Sequence, residues 1–88
     1  MKINFAHVKV YQTIDHEKYS IVDLRSELAN AIFRFGSGMN DHALCHKIYE
    51  SKAEDTEYSD AEIESIKNIV YTTGNPVMIE SVKELLED

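Results

Sequence analysis

Residues 8–35 read VKVYQTIDHEKYSIVDLRSELANAIFRF, and this stretch decides the fold. VKVYQTI (8–14) alternates Val8, Val10, Gln12 and Ile14 against Lys9, Tyr11 and Thr13, and both sets contain β-formers. Asp15-His16-Glu17-Lys18 is polar and turn-like, and Tyr19-Ser20-Ile21-Val22 is again rich in β-formers. A hairpin with a loop of about four residues follows from that order. After Asp23 the apolar spacing changes. Leu24, Leu28, Ala31, Ile32 and Phe35 fall on one face of a helix. Asp23 is its expected N-cap, with Ser20 as the alternative, and Gly36 and Gly38 are expected to end it. Strand pairing therefore gives way to helix near residue 23.

Upstream, Ile3 and Phe5 alternate out of phase with Val8 and Val10, which suggests that they extend the first strand through a bulge. Downstream, three more helices are expected. The second spans about Asp41–Ser51, capped by Asn40 or Asp41, and is followed by the polar loop SKAEDTEY (51–58). Ser59-Asp60-Ala61-Glu62 has the capping-box pattern and opens the third, with Ile63, Ile66 and Val70 on its inner face, flanked by Ile69. Gly74 is a stop, and Asn75-Pro76 caps and starts the fourth, whose stripe is Met78, Ile79, Val82, Leu85 and Leu86. A hairpin followed by four helices is an α+β domain, one domain over residues 1–88, with a single layer of strands packed on the helices. Residues 56–58 are a candidate third strand. The first helix is the expected cover for the hairpin, because a two-stranded hairpin is marginal alone. It carries a second stripe, Ala29 and Phe33, so a central helix buried on both sides is expected. The alternative is an exposed Phe33 that binds a partner.

Charge excludes several functions. The chain carries 9 Lys+Arg and 16 Asp+Glu, a net −7. Residues 1–49 hold 6 basic and 5 acidic residues (+1) and residues 50–88 hold 3 and 11 (−8). The acidic half repels phosphate backbones and anionic membranes, so neither direct nucleic-acid binding nor membrane binding is expected. No apolar run approaches the roughly 18 residues of a membrane span, and MKINFAHVKVYQ lacks the apolar core of a signal peptide. With one cysteine there is no disulfide framework. A cytoplasmic protein fits these features best.

Candidate chemistry centres on DHALCHKIY (41–49). His42 and His46 share a helix face, with Cys45 three residues from the first. The three could supply nitrogen and sulfur ligands to zinc, the fourth coming from His7, His16 or another chain. Against this, Leu44 and Ile48 point inward, Cys45 and Tyr49 occupy one shoulder of that face, and the histidines lie just beyond. Amphipathic side chains commonly sit there in a packed helix. Ala43 stands where a helical zinc protease has its catalytic Glu, and Cys45–His46 neighbours diverge too far for a nucleophile–base pair. GSG (36–38) lacks phosphate-loop spacing, and the acidic run lacks the central Gly of an EF-hand. A helix-turn-helix is excluded by a long loop and by Asp60, Glu62 and Glu64 where basic residues would be needed. No catalytic residue and no cofactor motif are legible, so no enzyme is expected.

IVDLRSELANAIFRFGSGMNDHALCHKIYES (21–51), followed by EYSDAEIESI (57–66), resembles short accessory proteins encoded by phages and integrated mobile elements. The resemblance covers about half the chain. It implies a small cytoplasmic protein and no reaction, and it carries over no functional residue.

The expected function is a non-enzymatic protein–protein interaction module acting on an unidentified protein partner. The expected surface is acidic, Glu54, Asp55, Glu57, Asp60, Glu62 and Glu64, with Tyr58 inside it as an aromatic anchor. Tyr58 is equally readable as a strand or core residue. Phe33 and Tyr71 are further contacts if exposed. One alternative is an acidic nucleic-acid mimic that inhibits a DNA-binding protein. The other is a small metal-binding protein using His42, Cys45 and His46.

Overall fold

A computed structural model describes residues 1–87. In chain order the elements are β1 (Lys2–Ile3), β2 (Val8–Tyr11), β3 (Tyr19–Val22), α1 (Arg25–Phe35), α2 (Gly38–Glu50), β4 (Thr56–Glu57), α3 (Asp60–Thr73) and α4 (Pro76–Leu86). The α+β class and the four helices agree with the sequence reading.

β2 and β3 form the expected antiparallel hairpin, with Val8 opposite Val22 and Tyr11 opposite Tyr19. The Gln12 N–H donates to the Lys18 carbonyl at 2.8 Å, closing the ladder. Ile14 is not in the strand. It lies in the turn and is 99% exposed. The Asp15 carboxylate shapes that turn, accepting from the Thr13 hydroxyl at 2.6 Å and the Glu17 N–H at 3.1 Å. His16 takes the left-handed φ of 62°. Its ring stacks on Tyr11 at 3.8 Å, and its Nε2 lies 3.0 Å from Glu80 of α4.

Several expectations need correction. Ile3 and Phe5 do not bulge into β2. Asn4 makes a turn, its side chain accepting from the Ala6 N–H at 3.0 Å and its carbonyl from the His7 N–H at 3.2 Å. That turn absorbs the phase mismatch and separates β1 from β2. β1 pairs instead with β4, Ile3 opposite Thr56, so residues 56–57 build a second small sheet rather than a third hairpin strand. The hairpin is covered by α4 packed along β2, while α1 packs on α2 and α3. Phe33 is therefore not covered. Ala29 is 5% exposed against α2, but Phe33 is 69% exposed because no further layer lies over it.

The helix ends follow local chemistry. Ser59 accepts from the Glu62 N–H at 3.2 Å and Glu62 returns the bond to the Ser59 N–H at 2.8 Å, the expected capping box. Asn75 caps α4 through the Met78 N–H at 2.8 Å, with Pro76 in the first turn. Gly36 ends α1 as expected. Gly38, at φ 77°, instead begins α2, so this helix starts three residues before the expected Asp41. Asp41 sits inside the first turn and accepts from the Ser37 N–H at 2.9 Å.

Asp23 lies one position before the N-cap, which is Leu24. It still serves the helix start, accepting from the Arg25 N–H at 3.0 Å and gripping the guanidinium at 2.7 Å. Arg25 in turn reaches the Ser51 carbonyl at the end of α2. The Arg25 guanidinium holds the Asp23 carboxyl down at about 2, with the Arg25 N–H adding to the effect. A depressed carboxylate contributes stability above its unfolded value, about 3.9, and loses it as pH falls through the folded value. Asp23→Asn should lower the melting temperature at pH 7. The gap to wild type should close between pH 4 and pH 2, and a gap unchanged at pH 2 would contradict this linkage.

Candidate interaction surface

The acidic residues expected to carry binding differ in their surroundings, and their expected aromatic anchor is not among them at the surface. Tyr58 is 1% exposed, so it is a core residue and not an anchor within that surface. The β1–β4 pairing draws it inward, where its ring meets Phe5 edge-on at 5.3 Å and takes the Lys47 ammonium over its face at 4.7 Å. Burial raises its phenol pKa. The hydroxyl lies toward Ser51, whose own hydroxyl donates to the Ile48 carbonyl at 2.7 Å, and it makes no hydrogen bond. Glu62 is spent on the capping box and on Lys47 of α2 at 2.9 Å. Burial pushes its carboxyl up, but the Ser59 N–H and Lys47 outweigh this and hold it below the usual range. Glu64 lies 3.8 Å from Lys67, and Glu57 3.5 Å from the amino group of Met1. Glu54, Asp55 and Asp60 stay exposed with the loop and the start of α3. Tyr71 is exposed, at 37%, and donates its hydroxyl to Glu87.

The cluster on α2 does not converge as a metal site. Cys45 is buried, and its thiol turns back to the His42 carbonyl at 3.1 Å. His42 and His46 stand outside it with ring centroids 4.9 Å apart. Among the described residues no three His, Cys, Asp or Glu side chains gather so as to hold a metal ion. The helix itself explains this. Leu44, Cys45 and Ile48 form the inward face, which points the thiol into packing while the imidazoles face solvent.

What the two helices do create is a cleft. Ala29, Asn30 and Phe33 of α1 face Cys45, His46 and Tyr49 of α2 across a recess of about 190 Å³. Ala29 and Cys45 are buried, whereas Phe33 and Tyr49 are 69% and 61% exposed. The small side chain at 29 lets α2 approach closely, and the two large aromatic rings stay outside. Along α2 the exposed stripe is Met39, His42, His46 and Tyr49, spaced three, four and three apart, the seam spacing of helices that pack on another helix. Comparison with protein-family models, curated proteins and solved structures finds no match. The cleft combines exposed aromatic area with a balanced charge on the segment that builds it: residues 23–49 hold 3 basic and 3 acidic residues. Sequence reading identified Phe33 and placed Tyr49 on a shoulder of α2. It missed Met39 and the recess that the two rings share, which only the α1–α2 packing creates. Among the described residues no helix is long and apolar enough to cross a membrane.

Proposed function

We propose that this chain is a non-enzymatic protein-interaction module that docks through the α1–α2 cleft, with Phe33 and Tyr49 as its aromatic anchors. The observation that carries the proposal is that two large exposed rings line one recess with the buried Ala29 and Cys45, on an otherwise acidic chain. Aromatic residues concentrate the energy of protein interfaces, and the centre of an interface is depleted in charge. The acidic segment supports a mimic of nucleic acid less well, because Glu62 and Glu64 are matched by Lys47 and Lys67. A cytoplasmic accessory role, of the kind carried by phages and mobile elements, accords with the resemblance of residues 21–51 and 57–66.

Affinity capture from host-cell lysate tests this. The tagged chain should retain a protein that survives nuclease and high salt. Phe33→Ala should weaken its capture by about 2 kcal/mol, roughly 30-fold, with little change in the chain's own melting temperature. Retention lost in salt and insensitive to Phe33→Ala would favour the mimic instead.

A further inference from the structure

The strand β3 is left open along its outer edge. None of its four residues is buried, and among the described elements only β2 lies against it. The outer side of β2 has α4 against it. The bond from the Gln12 N–H to the Lys18 carbonyl fixes the ladder's alternation. Pairs 10/20 and 8/22 exchange hydrogen bonds, and pairs 11/19 and 9/21 do not. The backbone N–H and C=O groups of Tyr19 and Ile21 therefore point outward along the edge. Their side chains are 52% and 56% exposed. Natural edges are usually blunted by a charge, a proline or a bulge, and Tyr19–Val22 has none.

We infer that β3 is the site at which a second copy of this chain adds its own β3, antiparallel about a twofold axis at Ser20. The outward groups restrict the register. Centring on Ser20 sets Tyr19 opposite Ile21 of the second copy, twice, an aromatic and β-branched combination favoured across strands. Sliding by two residues sets Tyr19 opposite Tyr19 or opposite Asp23 and loses both pairs. Charge agrees with this choice. Lys18 meets Val22 of the second copy, and Glu17 meets an Asp23 already matched by its own Arg25 at 2.7 Å. Residues 1–22 carry 3 basic and 2 acidic residues (+1), against 6 and 14 (−8) in residues 23–88. The edge thus lies in the segment where two acidic chains repel least. The product is a four-stranded sheet with closed two-fold symmetry. No β3 residue lines the α1–α2 cleft, so the pair presents two clefts and gains avidity for a repeated partner.

Analytical ultracentrifugation of the full chain over a range of concentrations tests this. Wild type should sediment as a dimer of the 10.1 kDa chain. Ile21→Pro removes an outward N–H without removing a β2–β3 bond, and Ile21→Lys puts charge on the edge. Each should raise the dissociation constant by about tenfold or more, with an unchanged far-UV spectrum. Hydrogen exchange on wild type gives a second reading, free of any folding defect in the variants. The Tyr19 and Ile21 amides should be protected at high concentration and exchange fast on dilution. A wild type that stays monomeric overturns the inference. So does a dimer indifferent to both variants, or fast exchange of both amides within a dimer.

Discussion

Tyr58→Ala should be the most damaging single substitution outside the aliphatic core, and Tyr58→Phe should be harmless. The ring is fully enclosed and joins the N-terminal segment to α2 through Phe5 and Lys47. Truncating a buried aromatic to Ala costs about 3–5 kcal/mol. At about 4–8 °C per kcal/mol for a domain of this size, melting should fall by roughly 12 °C or more. The hydroxyl contributes the opposite way, since a buried donor without a partner is a cost. Tyr58→Phe keeps both ring contacts and deletes the orphan, so it should be neutral or gain up to about 1 kcal/mol. Chemical denaturation of the two variants beside wild type separates ring from hydroxyl. A clear loss in Tyr58→Phe would mean that the hydroxyl is satisfied after all.

Gly36→Ala should rank next, and for a different reason from Gly38→Ala. Gly36 has φ −75°, a backbone any residue adopts, so the constraint is space. A Cβ there would sit 2.6 Å from the Ile32 carbonyl oxygen and 2.9 Å from the Asp41 Cβ. A carbonyl inside a helix cannot swing aside as a side-chain tip can. Relief requires loosening the last turn of α1 and shifting it away from the start of α2, at about 1–3 kcal/mol. That movement also displaces Phe33 from Tyr49, so capture of the partner should weaken beyond what lost stability explains. Gly38 has open space around it but a φ of 77°, so Ala there pays only the left-handed penalty, about 1–2 kcal/mol. Melting curves of the two variants should place Gly36→Ala at or below Gly38→Ala. Only Gly36→Ala should affect binding at matched stability.

The local signals were legible. The Ser59 capping box and the Gly74-Asn75-Pro76 junction each depend on neighbours a few residues apart, and each forms as read; the hairpin also forms, but its first strand ends at Tyr11 rather than Ile14 and the connection runs over residues 12–18. The misreadings share a cause. Tyr58 looks like a loop residue in SKAEDTEY until Ile3 pairs with Thr56, and nothing local announces a pairing across more than fifty positions. The second stripe on α1 suggests a further layer, yet Ala29 is buried and Phe33 remains outside. Amphipathic spacing also does not say which helix covers which strand, so α4 rather than α1 lies on β2. The cleft was half legible. Phe33 reads as an apolar residue with no obvious neighbour, but only the packing of α1 on α2 puts Tyr49 on the same recess.

The most direct test of the cleft as the docking surface is site-specific photocrosslinking in host cells. A photoreactive amino acid is placed at Phe33 in one protein and at Asp55, in the exposed acidic loop, in another. The docking account predicts a defined adduct with a different protein from position 33 and none from position 55. Adducts from position 55 alone would contradict it and return the binding function to the acidic segment.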